Sequence, residues 1–111
     1  MTPDTTAPAD CRDMREVRAG IDRLDRQIVT MIAERFRYMD AAARIKGERS
    51  TVRDEARKAE VIANVRRLAE ERHVPAEAVA QLYEGLIEAS IAYELAKFDA
   101  LHETPNAAAG G

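Results

Sequence analysis

Cysteine, tryptophan, long apolar runs and a basic excess are scarce or missing here, and each shortage closes off a class of function. The one cysteine, Cys11, leaves no internal disulfide and no cysteine-based metal motif. No apolar run approaches the ~18 residues needed to span a membrane. The opening segment, residues 1–10, lacks the basic start and apolar core of a signal peptide, so a cytoplasmic location is expected. A net charge of −3 argues against a general nucleic-acid binder, although a few Arg and Lys can still converge on a local anion. Tryptophan is absent, aromatics make up 5% and glycines number five, against 46% hydrophobic and 33% charged residues. That is the profile of a soluble, helix-rich protein, and 111 residues suit one domain.

What is present is helical periodicity. Residues 1–10 and 104–111 are rich in Pro, Thr, Ala and Gly and read as disordered ends around a folded part at 11–103. Three helices are expected there, with no strand pattern and no internal repeat. The first runs from about Asp13, a suitable N-cap, to about Lys46, with Gly47 placed as its C-terminal cap. It would be roughly 50 Å long. The second begins at a capping Asp54, carries Val61, Ile62, Val65, Leu68 and Ala69 on one side, and ends near His73. Pro75 opens the third, whose apolar stripe is Val79, Leu82, Tyr83, Leu86, Ile87, Ile91, Leu95 and Phe98. One very long helix and two shorter ones cannot close a compact monomeric core. A two-fold dimer in which the long helices pack together is the simplest remedy.

Polar residues interrupt these stripes. On the first helix Val17, Ile21, Leu24, Ile28 and Met31 lead in steps of four and three to Arg35, then Tyr38. A guanidinium keeps its proton and is costly to bury alone, so an anion must meet it. Lys46, eleven residues on, falls on nearly the same face. On the third helix Ser90 and Glu94 lie one turn apart, in phase with Tyr83 and Ile87. Two cations, a carboxyl and a hydroxyl on inward faces point to a polar pocket inside a bundle. An internal salt-bridge network, for instance Arg35 to Glu94, is the structural alternative. Buried ion pairs stabilise weakly at best, so their accumulation favours a ligand site. Arg18 precedes Arg35 by 17 residues, ~25 Å along one helix and off its face, so the two cannot grip one small ligand from the same chain. An exposed arginine is its plain reading, and a contribution to a partner's site is the other.

These residues, in this order, resemble the all-helical chorismate mutase family. The matching stretches are Val17-Arg18, Ile21-Asp22-Arg23-Leu24-Asp25, Ala33-Glu34-Arg35, Ala43-Arg44-Ile45-Lys46, Val52-Arg53-Asp54 with Arg57, and Leu86-Ile87-Glu88-Ala89-Ser90 with Glu94. Asp10-Cys11 together with Ile21-Asp22-Arg23 also looks like the isochorismate-pyruvate lyase branch of the same fold. The resemblance implies an intertwined all-α homodimer with two shared active sites, each completed by one residue of the other protomer. By position Arg18 is that residue. Arg18 and Arg35 are then expected on the two carboxylates of a small dicarboxylate substrate, with Arg57 lining the site. Lys46 and Glu94 are expected beside the ether oxygen of the breaking bond, and Asp54 and Ser90 match further pocket positions. Chorismate to prephenate is a unimolecular pericyclic rearrangement that needs no nucleophile, metal or cofactor. Arginine forks hold the compact conformer, and fixed donors answer the charge that grows on the ether oxygen.

Two positions depart from the family pattern. Glu94 stands where many bacterial members carry Gln, while fungal mutases resemble this chain in having Glu. Burial favours its neutral acid and neighbouring cations favour its carboxylate. Lys58 stands where mutases of this class have a Glu that touches the substrate hydroxyl. A lysine there implies weaker mutase activity or a modified substrate, unless it simply points to solvent. Chorismate mutase is therefore the leading expectation. Isochorismate-pyruvate lyase, giving salicylate and pyruvate, is the second, and a weakly active helical dimer needing a partner enzyme is the third. Cys11, His73 and His102 lack matching chemical partners in the sequence and read as structural or exposed.

Overall fold

The computed structural model describes residues 5–102, and their regular structure is entirely helical. Helix α1 is Met14–Ile45, α2 is Glu55–Glu71 and α3 is Ala76–Leu101, with 3-10 turns at Pro8–Asp10 and Arg49–Thr51. The expected all-α, three-helix class is what forms. No helix among the described residues is long and apolar enough to cross a membrane. The chain divides into two units, one up to Arg37 and one from Tyr38 onward, and α1 contributes to both.

In the first unit, α1 starts where its side chains can satisfy the free backbone donors. The Glu16 N–H donates to Asp13 Oδ1 at 2.9 Å, and the Arg12 N–H donates to Glu16 Oε1 at 2.8 Å. This is a reciprocal box displaced by one residue. The Thr6 hydroxyl donates to the other Glu16 oxygen at 3.1 Å, and the Cys11 thiol lies 3.8 Å from the Thr6 carbonyl. Residues 5–10, expected as part of a disordered end, thus include a 3-10 turn tied to the first turn of α1. Residues 1–4, and 104–111 of the expected tail, lie outside the described residues. Ile21, Leu24, Ile28 and Met31, the expected stripe of α1, remain between 46% and 60% exposed. Nothing among the described residues buries them fully.

The second unit has a core of Ala43, Val52, Ile87, Ile91 and Phe98, flanked by Val61, Ile62, Tyr83 and Leu95. Val65, Ala69 and Ala80 are buried as well. Leu68 and Leu82, both assigned to inward stripes, are 45% and 72% exposed. Leu82 lies ~140° around the helix from Ile87, and the smaller Ala80 takes the inward place in that turn. Helix α2 begins as expected, with Asp54 Oδ1 accepting the Arg57 N–H at 3.0 Å. It ends on His73, which holds the left-handed conformation at φ 61° usually given to glycine. The His73 N–H donates to the Glu70 carbonyl and the Val74 N–H to that of Ala69, which completes a Schellman cap. Gly47 plays no such part. No described glycine has a positive φ, and the chain leaves α1 through an extended Glu48.

One flank of α3 is stitched to the elements before it by ion pairs. Glu77 meets Arg66, Glu84 and Glu88 meet Lys58, Glu88 also meets Arg53, and Asp99 meets Arg49. The partners run backward in sequence as α3 runs forward, which is the register of antiparallel helices.

Candidate active site

The polar interruptions on α3 are buried as their phase requires. Ser90 and Glu94 are each only 4% exposed. The Ser90 hydroxyl donates to the Leu86 carbonyl one turn back, at 2.7 Å. Lys46, immediately beyond the end of α1, reaches Glu94 with Nζ 2.8 Å from Oε2. That oxygen is shut away from solvent, and the Lys46 ammonium is the cation beside it. The α3 stripe predicts Ser90 and Glu94 on an inward face, and both are buried. The anion-to-cation contact at Glu94 is made by Lys46.

The other expected site residues occupy different surroundings. Asp54 spends one carboxylate oxygen on capping α2, and Arg57, exposed in the first turn, pairs with Glu60. In the first unit Arg35 is half-buried and Arg18 exposed on the same continuous helix. The 17-residue separation keeps them ~25 Å apart along the axis and ~100° apart around it, so one chain does not bring these two guanidinium groups together.

Lys58 is settled by its partners. Its ammonium lies 2.9 Å from Glu84 and 2.8 Å from Glu88, and its side chain is only 17% exposed, so it does not point to solvent. These carboxylates hold the ammonium above the usual lysine range, Glu88 first and Glu84 second. Glu88 in turn is drawn down to about 2 by Arg53 and then Lys58. A shallow groove of about 280 Å³ runs beside this cluster, lined by Glu55, Lys58, Ala59, Ile62 and Arg66. Its Lys58 and Arg66 are already matched by the glutamates of α3, and none of Lys46, Ser90 or Glu94 lines it.

With this geometry in view, comparison with known proteins is decisive at the level of family. Residues 17–95 match the family described as chorismate mutase type II. The chain belongs to that family. It is also similar to the isochorismate pyruvate lyase of Pseudomonas aeruginosa, with 32% identity over 88 residues that cover 79% of this chain and 87% of the relative. The family is therefore shown, and with it an enzyme of the chorismate mutase or isochorismate pyruvate lyase kind.

Sequence reasoning missed one polar cluster beside this pair. The Tyr93 hydroxyl donates to Asp40 Oδ1 at 2.6 Å, and Lys97 Nζ lies 3.6 Å from the same oxygen. Tyr93 and Lys97 are spaced i, i+4 and so share a face of α3, which is the one local signal. Their partner Asp40 lies 53 residues before Tyr93, and periodicity says nothing about that.

Proposed function

We propose that the protein is a chorismate mutase, converting chorismate to prephenate by holding the compact conformer and stabilising charge on the ether oxygen. The Lys46 ammonium on the buried Glu94, with buried Ser90 one turn away, within a chain of the chorismate mutase type II family, is the observation that carries this reading. The Lys46 ammonium donates to the ether oxygen as the C–O bond lengthens. Glu94, in its protonated form, donates from the other side. Both contacts strengthen as negative charge develops, so they lower the barrier and do not merely tighten substrate binding. Arg35 holds one carboxylate and Arg18, from a second copy of the chain, holds the other, with Arg57, Asp54 and Ser90 as further binding residues. The half-exposed apolar stripe of α1 supports a homodimer, because a partner helix is what would dry it.

Lyase chemistry is the second reading, favoured by the similarity to the Pseudomonas aeruginosa isochorismate pyruvate lyase. It uses the same donors, since the breaking bond is again a C–O ether bond whose oxygen gains charge. Incubating the purified protein with chorismate and with isochorismate, and identifying the products, separates the two. Prephenate from chorismate is expected. Salicylate and pyruvate from isochorismate, with no prephenate from chorismate, would overturn the mutase assignment.

A further inference from the structure

The Asp40 cluster and the Lys46–Glu94 pair join the same two elements. Asp40 and Ala43 in the last turns of α1 and Lys46 just past its end follow one another in steps of three, and the Lys46 N–H still donates to the Ala42 carbonyl, so they form one turning ridge. The middle member, Ala43, is 0% exposed and belongs to the core with Ile87, Ile91 and Phe98 of α3. The polar residues on either side of this buried methyl meet α3 as well. Asp40 takes the Tyr93 hydroxyl at 2.6 Å, with Lys97 at 3.6 Å. Lys46 takes the carboxylate of Glu94, the very next residue of α3. One backbone step on α3 thus presents a hydroxyl to the first rung and a carboxylate to the second.

The rungs differ in stiffness. Lys46 lies past the last residue of α1, and its side chain carries four rotatable carbons and remains 30% exposed. Such a side chain is costly to fix and has no geometry of its own. Tyr93 and Asp40 are short of freedom and make a directional, charge-assisted bond. We propose that Asp40 is a positioning residue: through Tyr93 it fixes the end of α1 on α3 so that the Lys46 ammonium is held at the Glu94 carboxylate. The inference rests on the catalytic reading of Lys46 and Glu94, whichever of the two ether cleavages they serve.

A misplacement of about 1 Å at a group that acts only in the transition state costs up to ~100-fold in rate. Removing the rung therefore lowers kcat and leaves KM nearly unchanged, because substrate carboxylates are gripped elsewhere. Tyr93→Phe, which keeps the ring and its packing, and Asp40→Ala are expected to reduce kcat about tenfold on whichever substrate the wild type turns over. The double variant should be no worse than Asp40→Ala alone, and Asp40→Asn, which retains an oxygen for the hydroxyl, should recover most of the rate. Unchanged kcat in both single variants, or a loss confined to KM, would overturn the proposal. An independent readout covers the case of a wild type without either activity. In denaturant unfolding, Tyr93→Phe and Lys46→Met are expected to be non-additive, since each loosens the other's rung. Additive effects would sink the positioning role. That test leaves the mutase reading untouched, and the product assay leaves the coupling untouched.

Discussion

At the residue scale the proposed chemistry turns on one donor. Glu94 is a carboxyl with 6% of its side chain exposed, 2.8 Å from a lysine ammonium. On the mutase reading it donates to the oxygen that gains charge. Glu94→Gln, which keeps a donor in nearly the same shape, should retain most of kcat on chorismate, and Glu94→Ala, which keeps none, should lower it at least about tenfold. Equal rates in the two variants would refute the role. Glu88 titrates at low pH and reports on stability. Its folded value near 2 lies below its ordinary 4.5, so its contribution is complete above 4.5 and fades as pH falls from there toward 2. Glu88→Gln should slightly lower the melting temperature at neutral pH and shrink the drop measured between pH 4.5 and 2. An equal drop in both proteins would remove Glu88 from the acid response. Lys58 is accommodated where it stands because two glutamates of α3, Glu84 and Glu88, hold its ammonium.

At the scale of elements, local chemistry was legible and tertiary chemistry was not. Asp13 and Asp54 cap because a short acceptor next to free backbone donors acts within three residues, and such signals lie in the sequence itself. The polar pair Ser90 and Glu94 was legible for a similar reason, since helical phase is a local property. Gly47 and His73 show the limit. The left-handed cap falls to a histidine, His73, and two backbone hydrogen bonds hold it there without any glycine. Leu82 and Asp40 are the tertiary cases: which flank of α3 faces a neighbour depends on residues dozens of positions away. The capping role of Asp54 and its proposed place in the pocket make separable predictions. Asp54→Ala should lose about 1 kcal/mol of stability with the cap, whereas Asp54→Ser keeps an acceptor and most of that stability. If Asp54 also touches substrate, both variants lose activity, and a fully active Asp54→Ser would confine the residue to capping. Denaturant melts and steady-state kinetics on the same preparations decide it.

At the scale of the molecule, the proposed site needs two carboxylate grips that a single chain does not bring together. Arg18 and Arg35 are separated by ~25 Å on one helix, while the apolar residues between them, Ile21, Leu24, Ile28 and Met31, stay about half exposed. The proposed second copy packed along α1 would answer both facts at once: it would dry the stripe and carry an Arg18 to the other chain's Arg35. Size and composition then become linked to activity in a way that mixing can read. Arg18→Ala and Arg35→Ala homodimers should each be nearly inactive, because every site lacks one guanidinium. Unfolded, mixed in equal amounts and refolded together, they form heterodimers in which one site has lost both arginines and the other has kept both. Random pairing makes half of the dimers mixed, with one intact site in two, so about a quarter of wild-type activity should return. If both arginines served a site within one chain, mixing would restore nothing, and the shared-site dimer would be wrong. Ile28→Glu places a charge in the middle of the stripe. It should shift the protein to monomer in size-exclusion chromatography with light scattering and abolish turnover with it. A monomeric Ile28→Glu that retains full activity would separate catalysis from assembly and return Arg18 to the solvent.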